Sequence, residues 1–252
     1  MASSKKRKII RYFLLIFWAL VFGWQFFQMN ARGFDKANVL ASDQDILFAE
    51  TDEYLSFIPQ TDSVNTSVLF FPGALVQPEA YAPLAKKLAQ KGYSFYIQKI
   101  PFRIAVTDNM EQNALINTSK FISTSNEEKW VVAGHSRGGR MAVNYASLYP
   151  ESISGLVLMG TTHPKDKDLS RLEFPVLKIS ASEDGLASPP EIDQFAHNLP
   201  DSTDFFMIQG GNHSQFGYYG FQLGAGSPTI TREEQQKIIF NVVEKFLRNS
   251  KF

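Results

Sequence analysis

Hydrophobic positions fall into two regimes along the chain. The first is a single block: residues 12–24 are apolar without interruption, and after Gln25 the run closes on Phe26 and Phe27. Counted from Ile9, the block holds 19 residues, about one bilayer crossing at ~1.5 Å of helical rise per residue. The second regime begins near residue 45, where short β-rich runs alternate with segments of helical spacing. Strands are predicted at 46–49, 54–58, 67–71, 93–97, 130–133, 155–159, 176–180 and 205–208. Helices are predicted at 78–91, 109–124, 138–149, 189–198 and 232–247, with Gly92 and Pro150 as stop signals. That order builds an α/β domain over 45–252, with a mostly parallel central sheet and helices on both faces. Residues 30–44 are small or polar with little periodicity and read as a linker. Only residues 161–174 separate two core strands, too few to form a lid domain.

Charge gives the first block a direction. Lys5, Lys6, Arg7, Lys8 and Arg11 lead into it, and aromatic residues crowd both of its ends. Cations before an apolar run of this length predict a transmembrane anchor, or uncleaved signal, over 9–29. Residues 1–8 are then a basic cytoplasmic segment, and the rest of the chain lies on the extracytoplasmic side. A cleaved signal peptide is the rival, but Met29-Asn30-Ala31 makes a poor cleavage site. Elsewhere, 25 basic residues balance 25 acidic ones, leaving no global field to attract nucleic acid, so no nucleic-acid partner is expected. The sequence contains no cysteine, which excludes disulfides, cysteine-ligated metal and a thiol nucleophile.

One motif carries candidate chemistry. Gly134-His135-Ser136-Arg137-Gly138 matches G-x-S-x-G between a predicted strand and a predicted helix, where a sharp turn exposes the serine and crowding favours glycine around it. A serine hydroxyl is a poor nucleophile at neutral pH, so it needs a histidine base and a carboxylate that orients the ring. His213, in Gly210-Gly211-Asn212-His213, follows the last strand and is the last of four histidines. His135 should point away along the turn, His163 follows an inner strand and His197 falls in a predicted helix. Asp184, in Ser182-Glu183-Asp184-Gly185, lies between nucleophile and base, with Glu183 as the weaker alternative because Gly185 lets the chain turn directly after Asp184. The early strand ends at Phe71-Pro72-Gly73-Ala74-Leu75, which nominates the backbone N–H groups of Ala74 and Arg137 as an oxyanion hole. Leu75, Arg103, Phe216 and Tyr218 are candidate substrate contacts, the last two in an aromatic loop that could line an apolar pocket.

Over roughly residues 47–247 the chain resembles the α/β-hydrolase superfamily, within it the compact lidless group related to dienelactone hydrolase. The resemblance rests on Phe71-Pro72-Gly73-Ala74, Tyr81-Ala82-Pro83-Leu84-Ala85, Pro101-Phe102, the run 134–139 and the run 210–217. It implies hydrolysis of an ester or related acyl bond through an acyl-serine, with no metal and no organic cofactor. Dienelactone hydrolases use cysteine where this chain has Ser136, so their lactone substrate does not carry over. With the domain tethered near lipid, a small-molecule or lipid-like ester is the expected partner. A catalytically silent membrane-bound scaffold and an acyltransferase with the same three groups remain alternatives.

Overall fold

The computed structural model describes residues 2–250. It opens with a long helix, α1 (Ala2–Gln28), of which Lys6–Gln28 is long and apolar enough to cross a membrane, with none of its most apolar stretch buried in the protein. A short helix, α2 (Lys36–Val39), follows. The domain then alternates through β1 (Ile46–Glu50), β2 (Tyr54–Pro59), β3 (Thr66–Phe71), α3 (Ala82–Ala89), β4 (Ser94–Gln98), α4 (Asp108–Thr124), β5 (Lys129–His135) and α5 (Arg137–Leu148). It closes with β6 (Gly155–Met159), β7 (Val176–Ala181), α6 (Pro189–Gln194), β8 (Asp204–Ile208) and α7 (Arg232–Asn249). All eight predicted strands are present. The helix predicted at 78–91 is split, because a 3₁₀ turn at Pro78–Tyr81 precedes α3. The helix predicted at 189–198 likewise ends early, with Ala196–Asn198 as a separate 3₁₀ turn.

The strands form one sheet in the order β1-β2-β4-β3-β5-β6-β7-β8. β1 and β2 pair antiparallel at one edge, β2 pairs antiparallel with β4, and from β4 to β8 the pairing is parallel. Parallel strands need cover on both faces, and two apolar layers provide it. Phe70, Leu84, Phe95, Val131 and Ile239 belong to one layer, and Leu69, Trp130, Met141, Tyr145 and Leu158 to the other. After β3 the chain moves outward to β4 and then crosses back to β5 on the other side. The strand order therefore reverses between β3 and β5, and the crevice beyond their carboxyl ends is where such sheets place ligands. No helix or strand is inserted between β6 and β7, so this crevice carries no lid domain.

The segment 30–44 is not a free spacer. Met29 and Ala31 are buried in the core, and Phe34, Val39 and Leu40 pack against it. Ala31 N–H donates to Gln77 Oε1 and Gln77 N–H to Met29 O, both at 2.9 Å, while Arg32 N–H donates to Tyr218 O at 2.8 Å. Lys86 adds a 2.8 Å bond to Asn38 O and an ion pair to Asp43. The small polar composition hid a few apolar anchors that suffice to fasten it.

β7 holds a buried cation, Lys178, whose Nζ donates to the carbonyl of His163. Burial pushes its pKa down to about 7 from an ordinary 10.5. Between those values the unfolded chain keeps the proton and the folded chain does not, so stability rises with pH across that window. We expect Lys178→Met to remove that slope, at most about 1.4 kcal/mol per pH unit, in denaturant titrations of both proteins from pH 7 to 10.

Candidate active site

The site is built where α5 meets the ends of β3 and β5. Phe71 pairs with Gly134, so Ala74 and Ser136 emerge from adjacent strands. Packing there is backbone against backbone: a Cβ at Gly134 would lie 2.2 Å from Gly138 O, and one at Gly138 would lie 2.0 Å from Phe71 O. This closeness forces a sharp turn, and Ser136 adopts φ 54° and ψ −121°, a left-handed backbone that costs a non-glycine residue ~1–3 kcal/mol. Its N–H is held by Met159 O at 3.0 Å, and its side chain is left at the helix N-terminus.

The structure brings the three residues nominated from sequence together. His213 Nε2 lies 3.0 Å from Ser136 Oγ, and His213 Nδ1 lies 2.8 Å from Asp184 Oδ2. Asp184 Oδ1 accepts the N–H groups of Leu186 and Ala187 at 2.8 and 2.7 Å. A carboxylate can only accept, so His213 carries its hydrogen on Nδ1 and offers the Nε2 lone pair to the serine hydroxyl. Glu183 takes no part; its carboxylate accepts from Ser182 Oγ on the surface. The N–H groups of Ala74 and Arg137 donate to nothing among the described residues. They stand at the ends of β3 and β5 as unpaired donors.

The loop carrying His213 is packed into the domain and bonded to α7. Asn212 and His213 are buried, and Gln235 of α7 clamps them, accepting from Asn212 N–H at 2.9 Å and donating to Asn212 O at 3.0 Å. His135 does not point away. It is fully buried, with its ring 4.7 Å from that of His213. Tyr81 Oη accepts Gly73 N–H at 3.0 Å and is hydrogen-bonded to His135 Nδ1 at 2.8 Å. One hydroxyl thus ties the Pro72-Gly73-Ala74 turn to the residue preceding Ser136. Burial holds the His135 ring well below its ordinary pKa, in its neutral form.

A cavity of about 220 Å³ opens at Ser136, lined by Arg137, Arg140, Thr162, His163, Leu186 and His213 among others. The four nominated contact residues lie outside this lining. Phe216 is buried and stacks on His135, Tyr218 packs against Phe34, and Arg103 bonds Asn30 Oδ1 at 2.8 Å. Leu75, next to Ala74, packs partly into the core. The lining instead includes Arg140, one helical turn beyond Ser136, and His163, neither of them nominated from sequence. Arg137 and Arg140 share the buried Glu111, at 4.0 and 3.9 Å. His163 is pushed down to about 4, chiefly by burial, and is neutral at physiological pH. A larger cleft of about 630 Å³ lies at the opposite end of α5, near Ala146 and Pro150, away from all of these groups.

Comparison with known proteins agrees with this architecture. The family model described as Alpha/beta hydrolase family matches residues 67–237. No curated protein matches the sequence. Among solved structures, a soluble variant of monoglyceride lipase from Saccharomyces cerevisiae superposes with a TM-score of 0.63 at 13% identity, covering 83% of this chain and 96% of that one. An esterase from Pyrococcus furiosus gives 0.61 at 12% identity, covering 87% and 97%. A serine hydrolase without lid from Xanthomonas campestris gives 0.59 at 12% identity, covering 82% and 95%. At these identities the likeness is one of fold.

Tyr81→Phe removes one hydroxyl and leaves Gly73 N–H and His135 Nδ1 unpaired in the interior. We expect a loss of about 2–4 kcal/mol of stability, read by denaturant titration.

Proposed function

We propose that this chain, which belongs to the alpha/beta hydrolase family, is a membrane-anchored serine hydrolase that cleaves an ester or related acyl bond through an acyl-serine intermediate. The observation that carries the reading is the continuous line Ser136 Oγ, His213 Nε2, His213 Nδ1, Asp184 Oδ2, with links of 3.0 and 2.8 Å. In this reading neutral His213 takes the hydroxyl proton as Ser136 Oγ attacks the carbonyl carbon. Asp184, fixed by two backbone amides, favours the imidazolium that forms. The Ala74 and Arg137 amides receive the charge that develops on the carbonyl oxygen. His213 then returns the proton to the leaving oxygen, the acyl group remains on Ser136, and water activated by the same histidine releases it.

Residues 9–29 serve as the anchor, with the basic segment 1–8 on the cytoplasmic side and the hydrolase domain on the other. The length and apolarity of Lys6–Gln28 support the span, and the five cations around its start support the orientation.

Ser136→Ala is expected to lower hydrolysis of short activated esters by several powers of ten and to abolish labelling by a fluorophosphonate probe. Full activity or full labelling in that variant refutes the assignment. Labelling of the native chain without turnover of any ester in a chain-length panel points to an acceptor other than water.

A further inference from the structure

The anchor helix does not merely precede the domain; it is bonded to a loop of the site. In its last turns Gln25 Nε2 donates to Phe221 O, and Gln25 Oε1 accepts from Leu223 N–H, both at 3.0 Å. Gly220 N–H donates to Gln28 O at 2.7 Å, and the Phe221 ring packs on Trp24 with centroids 5.7 Å apart. Phe221 and Leu223 therefore sit level with Trp24 and Gln25, in the last turn of the apolar block, which closes on Phe27. A span of ~19 residues that starts near Ile9 ends at Phe27, so this level lies about one turn short of its end, at the lipid boundary.

A second turn reaches the same level. The Arg103 guanidinium lies 4.9 Å over the Phe26 ring and bonds Asn30, so its neighbour Phe102 is held beside the end of the helix. Phe102 is 86% exposed, and Phe102 and Arg103 both adopt positive φ, 55° and 59°. Two successive left-handed non-glycine residues are strained, and the strain turns a large aromatic ring outward. Val106, Phe221 and Leu223 are also exposed, at 68, 54 and 67%. Water is a poor neighbour for this set, whereas the boundary between lipid headgroups and acyl chains is a favourable one.

Both turns are wired to the reacting groups. Arg103 O accepts Leu75 N–H at 2.7 Å, one residue beyond the Ala74 donor. Residues 221–223 lie between Tyr219, whose hydroxyl donates to His213 O at 3.3 Å, and Ala225, whose carbonyl accepts His213 N–H at 3.1 Å. The cavity at Ser136, about 220 Å³, is below the ~300–1,000 Å³ of pockets that enclose a whole small ligand. A long-chain ester would have to leave most of its apolar part outside, against whatever borders the rim.

We propose that Phe102, Val106, Phe221 and Leu223 form an apolar rim seated in the lipid boundary beside the anchor, so that the site takes a membrane-resident acyl ester from the leaflet on which the domain sits. The substrate half of this inference rests on the reading of Ser136 as nucleophile, and the seating of the rim on the reading of residues 9–29 as the anchor.

The chain has no cysteine, so Leu223→Cys and Leu148→Cys each take a single environment-sensitive dye on the full chain in phosphatidylcholine vesicles. Leu148 ends α5 at the opposite edge of the domain and is 56% exposed. The expected result is blue-shifted emission at 223, quenched by lipids carrying a nitroxide near the carbonyl level, with aqueous emission at 148. Aqueous emission at both positions overturns the rim. Cross-linking between copies through 223 without lipid quenching gives the surface to a second copy and also overturns it. In a second measurement, Phe102→Ser combined with Leu223→Ser is expected to lower the ratio of vesicle-borne long-chain glycerol ester turnover to short soluble ester turnover at least tenfold. An unchanged ratio overturns delivery from the leaflet. Quenching at 223 without fluorophosphonate labelling of Ser136 upholds the rim and removes the hydrolase reading; labelling with aqueous emission at 223 does the reverse.

Discussion

Everything at the site depends on three backbones meeting with no side chain between them. At Gly134 and Gly138, β5 and α5 approach each other and the end of β3 more closely than any Cβ permits. That contact leaves Ser136 no relaxed conformation, and its positive φ is the local cost of bringing a helix N-terminus against the end of a strand. The N–H groups of Ala74 and Arg137, at the strand ends that meet there, have no partner among the described residues. Strain and an outward hydroxyl are thus results of one packing event, held in place by the buried sheet around it.

Around that point the structure is stiffened by polar groups that each satisfy two neighbours. Tyr81 joins the β3 turn to His135, and Gln235 grips both the amide and the carbonyl of Asn212. Asp184 is shared between the His213 ring and two amides of its own loop. Buried groups paired twice are costly to displace, so a loop rich in glycine is nevertheless fixed. His213 is presented to Ser136 by α7 and by the 225 carbonyl as much as by its own turn.

The alternation of strands and helices and the sharp turn at Ser136 were legible in the sequence because both rest on local rules. Strands alternate with helical spacing, and G-x-S-x-G needs only a preceding strand and a following helix. His213 and Asp184 followed from their order along the chain, and the geometry now brings them together. What the sequence concealed is long-range. Tyr81 lies 54 residues from the ring it supports and Gln235 lies 23 from the amide it accepts, separations no local periodicity encodes. Phe216 and Tyr218 looked like a pocket wall because aromatic loops often are, yet both turn inward on His135 and Phe34. The 30–44 segment looked like a spacer because its few anchors, Ala31 among them, are scattered rather than periodic.

The burial of Met29 and Ala31 directly after the apolar helix leaves no slack between the two. A chain joined in this way cannot reach up and down like an enzyme on a leash, nor pivot freely about its stem. If the helix spans the bilayer, the hydrolase has a fixed height and azimuth, and its encounters are confined to the plane through which it drifts. For any substrate that shares that plane, effective concentration is then counted per unit area rather than per unit volume.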